Sequence, residues 1–426
     1  MTGSPANREG HASHGGNAPR DGHPRRNGVR GTRVWGMPWW TAVIVVWLIG
    51  RSVSTAMLLF YAANQAENAW TGKSPSLFDF SSLWDGRWYN IIAVSGYPTE
   101  LPLTDDGRVG ENAWAFMPVF PLLARTLMVF GLDWNTAGIT ISVLAGLGAS
   151  FFFYRLVARY TPSTQAIFAV LLFGLAPTAP LLQVAYGESL QMFFIAVTLF
   201  YLSHHRYSLV LVFGTVLAFT RPGAIALALV VVIHGVTRFA KRRTQRFPVK
   251  ERIAASMTAG WLTVVGFAWP VVAALATDRP SAYFETELAW RSVYIGYLEL
   301  VPFTPWIQGM QWWTTQQWGW PPEPWGYVLL GGLVVAAGLV LLLPAARRVG
   351  PEIRLWSLSY GLYILAVFFP QSSTFRILAP LFPALAIVAA PRSRIYRILI
   401  VTLFVVGQFL WIGAAWAVSD YDWTPP

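Results

Sequence analysis

The sequence predicts an all-α polytopic membrane protein, and three observations carry that prediction. Charge is scarce: of 426 residues only 12% are Asp, Glu, Lys or Arg, about half the share of a soluble domain. Apolar residues make up 55% and come in runs of roughly 15–23, long enough or nearly so to cross ~30 Å of hydrocarbon. Lys and Arg gather in the short segments between those runs, as the positive-inside rule requires. A β-barrel would show short alternating segments instead.

Residues 1–36 are a Gly/Pro/Asn/Arg-rich tail with almost no aliphatics. Such a segment cannot bury a core and reads as disordered. Arg20, Arg25, Arg26, Arg30 and Arg33 precede the first apolar run and read as a cytoplasmic topology signal with weak attraction to anionic lipid. The following run is too long for a cleavable signal peptide and lacks a clear small-residue cleavage site. Residues 37–426 then form one integral membrane domain. Spans are expected near 39–61, 136–158, 164–180, 187–202, 207–220, 222–237, 257–276, 325–344, 354–370, 375–390 and 396–418, about eleven in all. With the N-terminus inside, the cytoplasmic loops are Arg155–Pro162, Ser203–Arg206, Arg238–Arg252, Ala345–Arg354 and Pro391–Arg397, all basic. The other side receives 62–135, 181–186, Arg221, 277–324, 371–374 and the tail after Ser419, with most of the acids. This K/R asymmetry supports the orientation and places the chain in a cell membrane with its polar clusters outside.

Phe116–Phe130 is apolar but holds Pro118, Pro121 and Arg125. Counting it as a span would invert every later loop, so it reads as an amphipathic helix in the interface or re-entering the outer leaflet. Pro222 and Gly223 force a tight reversal between two short spans. The second large loop, 277–324, carries Trp290, Trp306, Trp312, Trp313, Trp318 and Trp320. They read as an interfacial aromatic belt, with sugar or lipid-chain stacking as the functional alternative.

The net charge of +11 and pI near 10.0 are explained by topology, so no nucleic-acid partner is implied. With no cysteine, disulfides, thiolate catalysis and Cys-ligated metals are excluded. The six His make no metal-ligand spacing with carboxylates. His204 and His205 fall on the cytoplasmic side and read as surface. Asp105, Asp106 and Glu111 read as solvated loop charges. No metal site is predicted, though a divalent metal requirement stays open.

Four polar clusters fall on the external side: Trp84-Asp85-Gly86-Arg87-Trp88-Tyr89, Tyr186-Gly187-Glu188-Ser189, Thr220-Arg221-Pro222-Gly223 and Gln371-Ser372-Ser373-Thr374-Phe375-Arg376. Ionisable groups near membrane depth are costly and usually face a cavity. The combination fits transfer of a sugar from a polyprenyl phosphate. The acceptor hydroxyl must lose a proton, which calls for a carboxylate. The leaving phosphate calls for Arg, suited to bidentate contact. Aromatic walls suit sugar faces and a lipid chain. Each residue has a second reading. Asp85 is either the base, or a partner for Arg87 or an N-cap. Glu188 is either a cleft carboxylate or a helix-start charge favoured by the dipole. Arg221 and Arg376 either contact phosphate or snorkel at the interface.

At these residues the sequence resembles the PIG-V family of mannosyltransferases. Trp84-Asp85-Gly86-Arg87-Trp88-Tyr89 with Ile92-Ala93 and Gly96-Tyr97 is similar to the family's first block. Ala115-Phe116-Met117-Pro118-Val119-Phe120-Pro121-Leu122-Leu123 is similar to its second, and Ala176-Pro177 with Ala185-Tyr186-Gly187-Glu188-Ser189-Leu190 to its third. Arg221 stands where the family has an arginine before small and polar residues, and Phe375-Arg376 with Pro380-Leu381-Phe382-Pro383 matches further on. The chain departs from the pattern at Met117, Gly187 and Pro222. The resemblance implies a GT-C fold with interfacial helices in the first external loop and an external active site. It implies a polyprenyl-phosphate sugar donor, mannose first, an inverting transfer, and a lipid or glycan acceptor. Asp85 maps onto the family's first-loop carboxylate. The expected substrate-binding residues are then Trp84, Arg87, Trp88, Tyr89, Tyr186, Glu188, Arg221 and Arg376. No cofactor and no obligate protein partner follows beyond membrane lipid. The rivals are a GT-C transferase for arabinose or an aminosugar, and a transporter or flippase of lipid-linked sugars, which would show two related halves and midplane charge.

Overall fold

The computed structural model describes residues 1–3 and 33–418. Most of the expected disordered tail, 4–32, and the segment from 419 onward lie outside the described residues. The end of that expected tail is ordered instead: Arg33–Val34 (β1) pairs antiparallel with Met37–Pro38 (β2), with Val34 in the core.

Among the described residues the other named elements are helices. The first long helix, α1 (Trp39–Asn64), leads into α2 (Leu77–Phe80), α3 (Asp85–Ser95) and α4 (Val119–Val129). The bundle continues with α5 (Trp134–Ala158), α6 (Ser163–Leu175), α7 (Glu188–Ser203), α8 (Tyr207–Ala218), α9 (Ala224–Ala240), α10 (Val249–Gly266) and α11 (Ala268–Thr277). The second large loop folds as α12 (Ala282–Ile295) and α13 (Pro305–Gln316). Then come α14 (Pro322–Leu342), α15 (Pro344–Arg348), α16 (Pro351–Val367), α17 (Thr374–Leu378), α18 (Leu385–Val388) and α19 (Arg394–Trp411).

Among the described residues, five helical stretches are long and apolar enough to cross a bilayer: Trp39–Asn64, Trp134–Ala158, Val249–Thr277, Pro322–Leu342 and Arg394–Trp416. In α14 only Gly326 is buried. A helix apolar on all sides with so little of its surface covered by protein is a helix made for lipid, and the chain is an integral membrane protein on that ground. The other expected spans are shorter. The 12 residues of α8 rise only ~18 Å. Two expected spans are broken. The one at 164–180 ends at Leu175, because Pro177 pushes Ala176 to extended backbone (ψ 152°). The one at 375–390 splits into α17, a 3₁₀ turn Ala379–Ala384 and α18, because Pro380 and Pro383 cannot donate to a helical ladder. The apolar segment at 116–130 is helical only over Val119–Val129 and is too short to cross, with Phe120, Pro121 and Ala124 buried.

Small residues let the helices touch. A Cβ on Gly50 of α1 would lie 2.7 Å from the Gly174 carbonyl oxygen of α6. One on Gly146 of α5 would strike Trp47 of α1 and Ser189 of α7. Buried polar links then tie the broken stretch 176–187 to its neighbours. Arg51 donates to the carbonyls of Ala179 (2.9 Å) and Gly174 (3.1 Å) and to Gln183 Oε1 (3.0 Å). Gln408 of α19 accepts from Ser54 Oγ (2.9 Å) and donates to the Ala176 carbonyl (3.0 Å). A polar group in an apolar interior is costly unless bonded, so these links specify how α1, α19 and the broken stretch fit together.

Candidate active site

Helix α3 begins abruptly. Trp84 sits at φ +56°, ψ −120°, a conformation that costs a non-glycine residue free energy and persists only where its surroundings enforce it. Its indole nitrogen donates to the Trp416 carbonyl (2.8 Å). Asp85 is therefore the first helical residue and not the N-cap. Its N–H donates to Tyr186 Oη (3.0 Å). It does not pair with Arg87. Both bland readings of Asp85 give way to a different partner: Asp85 Oδ2 accepts from Arg376 Nη1 across 291 residues of sequence.

Three more elements close on this pair. Glu188 opens α7 and is 1% exposed, its Oε1 3.0 Å from Arg221 Nη1 and 3.2 Å from Arg376 Nη1. Arg221 lies in the reversal between α8 and α9, where Gly223 (φ +150°) makes the turn that a side chain would strain. Gln191 of α7 donates to the Pro222 carbonyl (3.1 Å) and fixes that turn. Arg221 Nη1 is 3.9 Å from Asp85 Oδ2 and donates to Tyr89 Oη (3.1 Å). Arg376 comes from the first turn of α17, and its guanidinium lies over the Tyr186 ring at 5.3 Å.

The result is a quartet of two carboxylates and two guanidiniums, each side chain at most 13% exposed. Its formal charge balances, which is how ionised groups persist in a poorly solvated site. The quartet is not saturated. Arg376 Nε and both Glu188 oxygens have no aligned hydrogen bond, so they keep capacity for a ligand. Gly187 is required by this packing, because a Cβ there would lie 2.9 Å from Tyr89 Oη.

Six of the nine residues singled out from sequence thus meet: Asp85, Tyr89, Tyr186, Glu188, Arg221 and Arg376. The other three lie outside this cluster. Trp88 stacks on Phe116 (5.9 Å) and meets Trp290 edge-on (5.5 Å), forming an aromatic wall. Trp84 packs behind the quartet. Arg87 points elsewhere, its guanidinium 4.5 Å over Trp70. The aromatic-belt reading of 277–324 also needs revision. Trp290 belongs to that wall, and Trp306 and Trp313 donate to the carbonyls of Ile364 (2.9 Å) and Pro370 (2.8 Å), while Trp318 and Trp320 are exposed.

Two residues were missed. Arg51 had a visible signal, a lone charge inside an apolar run. Glu287 of α12 pairs by sequence spacing with Tyr283 and Arg291, and its carboxyl is pushed up by burial against the opposing pull of Tyr283, Arg221 and Arg291. His204 lies at the opposite end of α7, 16 residues or ~24 Å away, beside Arg159 Nη1 (3.1 Å). Asp106 forms an exposed pair with Arg108 (3.4 Å). Among the described residues no group of three or more His, Asp or Glu could hold a metal ion.

No protein-family model matches the chain, and no curated protein matches its sequence. By structure the chain is similar to ArnT from Cupriavidus metallidurans bound to undecaprenyl phosphate, at 12% identity and a TM-score of 0.46, over 80% of this chain and 59% of that one. It is similar also to the apo state of the same protein, at 13% identity and a TM-score of 0.43, over 80% and 58%. The chain therefore spans less than two thirds of the length of those structures.

Proposed function

We propose that this chain is a membrane glycosyltransferase of GT-C architecture that moves a sugar, mannose first among candidates, from a polyprenyl-phosphate donor to a lipid or glycan acceptor. One observation carries the reading. Four ionisable side chains from four segments, spread over 291 residues, meet in one buried, charge-balanced and unsaturated quartet beside aromatic walls.

The chemistry follows from the roles such groups can take. A donor phosphate entering the quartet attracts both guanidiniums, and Arg376 Nε is a donor already without a partner. Drawing Arg376 toward phosphate frees the Asp85 carboxylate. Asp85 then accepts the proton of the acceptor hydroxyl as that oxygen bonds to the anomeric carbon. The bond from that carbon to the phosphate oxygen breaks on the opposite side, with inversion. The polyprenyl phosphate leaves with the electron pair, and Arg221 and Arg376 stabilise it. Glu188 holds the two guanidiniums in place. Trp88, Phe116 and Trp290 offer apolar faces to the sugar. The basic segments at the opposite helix ends support a cytoplasmic position for those ends and an external one for the quartet.

The test is a transfer assay in membranes with radiolabelled polyprenyl-phosphate mannose, wild type beside Asp85→Asn. Label moved by the wild type and not by the variant supports the assignment, and normal turnover by Asp85→Asn sinks it. Transfer only from an arabinose or aminosugar donor keeps the fold and Asp85 and changes the sugar. Arg221→Ala with unchanged donor affinity would remove the phosphate role. Quartet charges gathered at one end of the bundle stand against a flippase, which needs a path at mid-depth.

A further inference from the structure

Helix α3 has a second functional face. At ~100° per residue, Asp85 and Tyr89 lie on one side, and Arg87 and Asn90 lie roughly opposite. The first pair faces the quartet. The second pair lines a cavity of about 460 Å³ that is walled also by the 70–75 loop, α2 and the start of α5. This volume is in the range of small-ligand pockets, and the quartet residues are not part of its lining.

Its chemistry is specific. The polar side chains are one carboxylate (Asp79), one guanidinium (Arg87), two carboxamides (Asn90, Asn135) and two hydroxyls (Thr71, Ser82). Their formal charges cancel, so a phosphate would meet a single cation and an opposing carboxylate. A neutral polyol is matched instead, because carboxamides both donate and accept, as each sugar hydroxyl does. Trp70 and Trp134 add indole surface against which sugar C–H groups pack. The wall is held in advance. Asp79 Oδ1 accepts from Asn135 Nδ2 (2.8 Å) and its Oδ2 from Ser76 Oγ (2.7 Å), and Arg87 is stacked over Trp70. One group is left over: Ser82 is 7% exposed, and its hydroxyl has no hydrogen-bond partner. A buried orphan hydroxyl is uncommon, and Ser82 is among the residues that line the cavity.

Position completes the argument. Ser82 stands three residues before Asp85, so the cavity wall and the quartet share one stretch of backbone. We infer that this cavity, across α3 from the quartet, binds a neutral saccharide unit of the acceptor and anchors it outside the reacting site. The word acceptor rests on the transferase reading, while saccharide binding does not.

The probe is methyl α-D-mannopyranoside, titrated against the full chain in lipid nanodiscs, since maltoside detergents carry a competing sugar. Saturation-transfer NMR reads the binding. Ser82→Ala removes a hydroxyl that bonds nothing in the protein, so it leaves the fold intact. It is expected to weaken binding about tenfold, as is Asn90→Ala. In transfer assays Ser82→Ala should raise the acceptor KM and leave the donor KM unchanged. No saturation transfer, or equal binding by wild type and Ser82→Ala, overturns the inference. Displacement of the sugar by undecaprenyl phosphate also overturns it and gives the cavity to the donor. Ser82-dependent binding without transfer from any donor keeps the saccharide site and removes the transferase reading.

Discussion

Neutralising Asp85 leaves Glu188 as the one carboxylate facing two guanidiniums. Arg376 Nη1 and Arg221 Nη1 would then share an oxygen at 3.2 and 3.0 Å, with a net positive charge in a site whose side chains are at most 13% exposed. Leaving a buried charge uncompensated costs about 3 kcal/mol, the lower end for a broken buried pair because the arginines keep some exposure. That is a shift of about two powers of ten in the unfolding equilibrium. Asp85→Asn with Arg376→Gln removes one charge of each sign and keeps the Glu188–Arg221 contact. The double variant should therefore regain about 2 kcal/mol of the loss, a coupling typical of groups in one network. Transfer should stay absent, since the base and one phosphate contact are both gone. Denaturant unfolding in micelles measures the stability, and the radiolabel assay measures transfer. Additive losses in the double variant would show that the two side chains do not share a charge-balanced site. Recovered transfer would show that Asp85 acts only through stability.

Three further outcomes are expected. Gly50→Ala places a Cβ 2.7 Å from the Gly174 carbonyl oxygen and 3.1 Å from its Cα. Backbone cannot rotate away, so α1 and α6 must part, at about 1–3 kcal/mol, read as a lowered unfolding midpoint. Arg51→Met leaves the carbonyls of Gly174 and Ala179 without their side-chain donor, costs about 2 kcal/mol, and lowers transfer by loosening the stretch that leads to Tyr186 and Glu188; full activity in this variant would refute that link. Glu287 has its carboxyl pushed above the usual 4.5 by burial. Its contribution to stability is then fully present below the unfolded-state value and is lost as pH rises through the raised one. Glu287→Gln should flatten that fall in a pH series of unfolding curves, and an unchanged slope would place the loss elsewhere.

Much of this protein is legible in one dimension. The helical membrane class follows from scarce charge and long apolar runs, because hydrocarbon accepts only backbone that satisfies its own hydrogen bonds. Each expected span contains a helix for that reason. The quartet residues were legible as well, since Glu188, Arg221 and Arg376 are rare charges at the ends of apolar runs and Asp85 stands among aromatics in the first loop. What sequence could not supply was contact. Asp85 pairs with Arg376 and not with Arg87, two residues away, because α3 turns Arg87 to its opposite face. The breaks at Ala176 and Ala379 were hidden inside apolar composition, where hydropathy is blind to a proline's missing N–H. Arg51, an isolated charge by sequence, gained its meaning from three acceptors, each more than 120 residues away. The cavity beside α3 was invisible too, because its walls come from separate segments. Composition and periodicity determine where a chain must be helical and apolar; which charges balance one another, and which hydroxyl is left without a partner, depends on distances that only the packed bundle sets.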